Sequence, residues 1–120
     1  MAGKRVLIID DSLFMRSFIR EALEDGGYTI IGQASNGVQG MKLAFELQPD
    51  FITLDNILPD MIGTDMLKVC GDEGLKSKII MVSAVGQESV IKEGLKLGAV
   101  AYILKPFTPI QLLDVFNKAS

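Results

Sequence analysis

Five short apolar runs punctuate the chain: Val6-Leu7-Ile8-Ile9, Ile30-Ile31, Phe51-Ile52-Thr53-Leu54, Ile79-Ile80-Met81-Val82 and Tyr102-Ile103-Leu104. Most are continuous rather than alternating. A continuous run has no polar face to offer water, so it suits a parallel strand covered on both sides. Parallel strands need a crossover between them, and the intervening segments have helical spacing. Leu13, Phe14, Phe18, Ile19, Ala22 and Leu23 fall on one stripe, ended by Gly26-Gly27. Val38, Met41 and Phe45 suggest a second helix closed by Pro49, although Gly37 and Gly40 lower its propensity. Met66, Leu67 and Cys70 mark a third after Thr64, and Val90, Ile91 and Leu95 a fourth that ends near Gly98. The last helix has the clearest start, with Thr108 as N-cap, Pro109 at the first helical position and Gln111 placed to complete a capping box. Its inner stripe is Leu112, Val115 and Phe116.

Strand and helix therefore alternate five times within 120 residues, the length of one ordinary domain, so residues 1–120 are expected to form a single α/β unit. Right-handed crossovers favour the flavodoxin-like five-stranded parallel sheet, order 2-1-3-4-5, with five helices on both faces. Ligands of such sheets bind beyond the carboxyl ends of the strands, near the switch between strands one and three. A net charge of -3 with scattered basic residues argues against nucleic acid as a partner. No apolar run approaches the roughly 20 residues of a membrane-spanning helix, and no signal-like segment opens the chain. A cytoplasmic protein with no membrane insertion is expected. Cys70 is the only cysteine and histidine is absent, which removes the usual zinc ligands and the usual general base. Any metal should be a hard, oxygen-liking ion.

The carboxyl edge of the expected sheet is rich in chemistry. Asp10 and Asp11 follow the first run and Asp55 follows the third. In the order 2-1-3-4-5 those strands are neighbours, so three carboxylates converge and repel unless protons or a cation compensate them. Magnesium (Mg2+) suits the site, because it accepts a few carboxylate oxygens, keeps several waters and takes phosphate as a further ligand. Each aspartate alone has an ordinary alternative as a helix cap or turn residue, Asp11 with Ser12 above all. Ser83 follows the fourth run and Lys105 the fifth. A serine there is commonly a cap and a lysine a solvated charge. Pro106, however, restricts the Lys105 backbone to extended or turn geometry and lets its side chain be aimed inward. Carboxylates for a metal, with an ammonium and a hydroxyl beside them, form an arrangement for holding a phosphoryl group.

Four motifs in order carry a resemblance: Ile8-Ile9-Asp10-Asp11-Ser12, Leu54-Asp55 followed by Leu58-Pro59 and Gly63, Val82-Ser83-Ala84, and Tyr102-Ile103-Leu104-Lys105-Pro106-Phe107. With them the sequence resembles the response-regulator receiver family along essentially its whole length, and is most similar to the stand-alone, CheY-like chemotaxis type. The resemblance implies that Asp55 is the nucleophile that takes a phosphoryl group from a phosphohistidine on a CheA-like histidine kinase. It implies that Asp11 and Asp55 ligate magnesium directly, that the Ile57 main-chain carbonyl completes the protein ligands, and that Asp10 holds the metal through water. Lys105 would bind the phosphoryl group, Ser83 would move to hydrogen-bond it, and Tyr102 would change rotamer as that hydroxyl shifts. Otherwise Tyr102 is an ordinary half-buried strand tyrosine. The Lys105-Pro106 peptide is cis in the family.

Such a protein catalyses its own phosphorylation and dephosphorylation and turns over no separate substrate, so it is not an enzyme in the usual sense. Its output is expected to be another protein, because the chain ends just after the fifth helix. By resemblance that partner is a flagellar motor switch component, or another target for a regulator outside chemotaxis, such as a phosphate sink or relay. The surface would be helix four, strand five and helix five. Asn56 and Ile62 depart from the commoner family pattern, and Ile57 and Val85 lie where family members control water access, so loop geometry and phosphoryl lifetime are left open. A haloacid-dehalogenase-like phosphohydrolase would need a second aspartate where Ile57 stands, and a flavodoxin's phosphate would be repelled by Asp10 and Asp11. A receiver-like domain that works without phosphorylation would be expected to lack one of these residues, and none is missing.

Overall fold

A computed structural model describes residues 4–84 and 86–120; Val85, named above for water access, lies outside the described residues. Ten elements alternate along the chain: β1 (Arg5–Ile9), α1 (Leu13–Asp25), β2 (Thr29–Ala34), α2 (Gly37–Leu47), β3 (Phe51–Asp55), α3 (Gly63–Asp72), β4 (Lys78–Ala84), α4 (Glu88–Lys96), β5 (Ala101–Lys105) and α5 (Pro109–Ala119). All strands pair in parallel, in the order β2-β1-β3-β4-β5. This is the flavodoxin-like architecture expected from the sequence.

The continuous apolar runs are explained by two cores, one on each face of the sheet. Val6, Ile8, Phe51, Ile80 and Val82 point to one side, where Ile19 and Leu23 of α1 and Leu112 and Phe116 of α5 cover them. Leu7, Ile9, Ile52, Leu54, Ile79 and Met81 point to the other, beneath Ala44 of α2 and Met66, Leu67 and Cys70 of α3. Neighbouring residues of one strand thus belong to different cores, so each must be apolar.

Some local details differ from the sequence reading. The Ile30-Ile31 run lengthens into a six-residue strand, and pairing with β1 passes from Ile30 to Gly32, leaving Ile31 as the extra residue of a bulge. Leu13 and Phe14, on the expected inner stripe of α1, are 68% and 76% exposed, because the packed stripe takes hold only from Met15 and Phe18 onward. Leu95 of α4 is likewise on the surface. α3 begins at Gly63, ahead of Thr64, with Ile62 at the N-cap position and no side-chain cap. The glycines that weaken α2 in isolation are what let it approach: a Cβ on Gly40 would come within 2.7 Å of Ile9, and one on Gly37 would collide with Met61. The capping box of α5 forms as expected, with both reciprocal bonds between Thr108 and Gln111.

Candidate functional site

β1 and β3 are adjacent, so their ends deliver Asp10, Asp11 and Asp55 to one place. One carboxylate oxygen from each lies within 4.8 Å of the others. Asp10 and Asp55 are buried and Asp11 is exposed. The capping alternative is correct in part, since Asp10 Oδ1 accepts the Ser12 N–H at 2.9 Å and Ser12 itself caps α1 by accepting the Met15 N–H at 3.1 Å. The second Asp10 oxygen stays directed at the cluster, 3.4 Å from Lys105 Nζ, which also lies 3.7 Å from Asp55 Oδ2. Lys105 reaches this position across the end of β4, from a strand that ends in a cis Lys105-Pro106 peptide.

One ammonium does not balance three carboxylates. Burial is the main force pushing the Asp55 carboxyl up to about 6, and repulsion from Asp10 and then Asp11 adds to it. Lys105 and the Ile57 N–H, 3.4 Å from Asp55 Oδ1, act in the opposite direction. The excess negative charge and the all-oxygen donor set fit a small hard divalent cation such as magnesium.

Ser83 stands on β4, in register with Leu104 and next to the Ala84–Lys105 pair. It is 1% exposed and, among the described residues, its hydroxyl has no hydrogen-bond partner. Tyr102 is 42% exposed, and borders an open groove of about 530 Å³ with Ile91, Leu95 and Leu104.

The segment between β3 and α3 carries Ile57, an exposed residue that makes an isolated antiparallel bridge with Ile62. The Leu58 N–H donates to the Met61 carbonyl at 3.1 Å, closing the turn, and the Gly63 N–H donates to the Asn56 carbonyl at 2.6 Å. Only glycine allows that approach, because a Cβ on Gly63 would sit 2.9 Å from the Asn56 Cα. Ile62 thus stands at the N-cap position of α3 with a bridge to Ile57 and no side-chain cap.

Two residues that the sequence reading did not single out hold this edge in place. Asp60 accepts the Gly37 and Val38 N–H groups at 2.7 and 2.9 Å, which tie the turn to the start of α2 and keep its carboxyl below the usual range. Arg16 donates to the Asp10 carbonyl at 2.6 Å and to Gln33 Oε1 at 3.2 Å, joining α1 to both β1 and β2. The Asp60 contacts and the Arg16–Gln33 bond join residues 17 to 23 apart in sequence, so no local motif announces them.

Comparison with known proteins accords with this geometry. The family described as the response regulator receiver domain matches residues 6–117. The chemotaxis protein CheY of Thermotoga maritima is 40% identical over 118 residues, 98% of each chain. CheY of Bacillus subtilis is 37% identical over 114 residues, 95% of each. Among solved structures, the chemotaxis response regulator CheY4 of Vibrio cholerae superposes with a TM-score of 0.91 at 26% identity, covering 99% of this chain and all of that one.

Proposed function

The chain belongs to the response-regulator receiver family, and on that premise we propose that Asp55 is its phosphoryl acceptor and that residues 1–120 act as one receiver domain. The observation that carries this reading is the shared cluster of Asp10, Asp11, Asp55 and Lys105, with the unpartnered Ser83 hydroxyl beside it.

A receiver domain takes its phosphoryl group from a histidine kinase and passes a signal to a downstream target. The Asp55 carboxylate oxygen attacks the phosphorus of a phosphohistidine; the new P–O bond forms as the P–N bond breaks, and the imidazole leaves with the electron pair. Asp11, Asp55 and the Ile57 carbonyl would hold magnesium, with Asp10 acting through water. The ion would supply positive charge to the transferring phosphoryl oxygens. Lys105, already between Asp10 and Asp55, places its ammonium against the same oxygens. Among the described residues the Ser83 hydroxyl has no hydrogen-bond partner, and it would donate a hydrogen bond to a phosphoryl oxygen. The domain thereby catalyses its own modification, and Tyr102 reports it on the surface of α4, β5 and α5.

Chemotaxis is the pathway we favour, with a CheA-like kinase as donor and a flagellar motor switch component as target. The support is the similarity to chemotaxis proteins of matching length from Thermotoga maritima and Bacillus subtilis. Among the described residues no helix is long and apolar enough to cross a membrane, in keeping with a cytoplasmic site of action.

Acetyl phosphate with magnesium is expected to add one phosphoryl group, seen by intact-protein mass spectrometry. Asp55→Asn should block the addition completely, and undiminished labelling of that variant would sink the assignment.

A further inference from the structure

The segment between β3 and α3 is a small hairpin. Ile57 and Ile62 face each other across it, and the bonds that hold them run between their neighbours, from the Leu58 N–H to the Met61 carbonyl at 3.1 Å and from the Gly63 N–H to the Asn56 carbonyl at 2.6 Å. In an antiparallel pair of this kind the main-chain polar groups of the two facing residues point out of the hairpin. The Ile57 N–H does so, donating to Asp55 Oδ1 at 3.4 Å. An extended residue carries its carbonyl on the same side as its N–H, so the Ile57 carbonyl is also turned outward, to the side of Asp55.

What fixes the hairpin against the rest of the fold lies near its tip. Leu58 is buried in the core beneath α2 and α3, and Met61 lies so close to Gly37 that a Cβ there would collide with it. Apolar contact of this kind has no direction. Direction comes from Asp60, whose two carboxylate oxygens accept the Gly37 and Val38 N–H groups at 2.7 and 2.9 Å. Both groups belong to the first turn of α2, where no carbonyl within the helix can take them. α2 follows closely on β2, whose last carbonyl, that of Ala34, accepts the Asp10 N–H at 3.0 Å. Asp60 thus joins the hairpin that carries Ile57 to the frame that carries Asp10.

We infer that Asp60 is a positioning residue of the metal site: by gripping the start of α2 it sets where the Ile57 carbonyl stands relative to Asp10, Asp11 and Asp55. The inference rests on the reading that this carbonyl is a magnesium ligand. Asp60 lies outside the carboxylate cluster with both its oxygens engaged by α2, and so acts through the hairpin. Without the grip the hairpin swings as a unit, and the carbonyl has to be ordered when the ion binds. That ordering cost lowers affinity.

Magnesium titrations followed by amide NMR on the wild type, Asp60→Ala, Asp60→Asn and Asn36→Ala test this. Asp60→Ala should bind magnesium about tenfold more weakly, the lower end of what the outer partners of metal ligands are worth. Asp60→Asn keeps an oxygen that can accept one N–H and should fall between. Asn36→Ala removes a different cap of the same helix, the bond from the Gln39 N–H at 2.8 Å, and should bind as the wild type does. Wild-type affinity in Asp60→Ala, or an equal loss in Asn36→Ala, would overturn the inference. An Asp60→Asn variant as weak as Asp60→Ala would trace the loss to charge and overturn it too. A second arm needs no metal: the 15N order parameters of Ile57 and Met61 should fall in Asp60→Ala and hold in Asn36→Ala, and unchanged values in both would overturn the grip on the hairpin. If the wild type takes no magnesium, the fault lies with the metal reading, and the order parameters still judge Asp60.

Discussion

At the amino end of the strands, Arg5 donates to the Leu47 and Gln48 carbonyls at 2.7 and 2.9 Å, and its own N–H is taken by Asp50 Oδ2 at 2.9 Å. Ser77 donates to the Pro49 carbonyl, and Lys78 Nζ to that of Ala119 at 2.7 Å. At the carboxyl end of the same sheet, two of the three clustered carboxylates, Asp10 and Asp55, share one ammonium at 3.4 and 3.7 Å, and the Ser83 and Asn56 oxygens have no partner among the described residues. The amino end uses its polar groups to close helix and loop ends, where each bond stabilises the fold. The carboxyl end keeps its polar groups uncompensated, which costs stability and leaves them available to a cation and a phosphoryl group.

The contrast can be tested first at Asp55, where the largest effect is expected. The Asp55 carboxyl is raised from 3.8 to about 6 in the fold. Between those values the unfolded chain releases a proton that the folded chain retains. The contribution of Asp55 is therefore most favourable below about pH 4 and is lost as pH rises through about 6. Without metal, Asp55→Asn should be more stable than the wild type at pH 7 by up to about 3 kcal/mol, and its stability should vary less between pH 4 and 7. Urea unfolding at several pH values measures both. A variant no more stable than the wild type would show that the carboxyl edge carries no such strain.

Magnesium affinity provides a sharper division between the two ends. Asp11→Ala should weaken magnesium binding by about tenfold or more in a titration, because it removes the exposed member of the carboxylate cluster and disturbs little of the fold. Unchanged affinity would remove Asp11 from the metal site.

The smallest effect is expected at the other end. Arg5→Met should lower stability by about 1 to 2 kcal/mol through two lost hydrogen bonds, while magnesium affinity and acetyl phosphate labelling stay at wild-type values. A fall in magnesium affinity there would mean that the two ends are coupled through the sheet.

Much of this division is legible in the chain itself. The continuous runs disclose strands buried on both faces, and Asp10, Asp11, Asp55, Ser83 and Lys105 each directly follow or end one of them. Strand order then follows from crossover handedness, so the meeting of the acids at one edge needs no long-range information. Asp60 and Arg16 were not legible in this way, since their partners at Gly37, Val38, Asp10 and Gln33 depend on how α1, α2 and the turn after β3 come together.

Period and punctuation along the chain are local properties, and they determined the sheet, its helices and the identity of the acidic edge. Exposure and hydrogen-bond satisfaction are properties of packing. Only the tertiary structure decided that Phe14 faces water, that Gly40 is small because Ile9 lies against it, and that Asn56 and Ser83 are buried with an oxygen unpartnered on each. A side chain's partners are set by which distant backbone lies beside it, and the sequence next to Asp55 carries no mark of Val82 until β3 and β4 are in register.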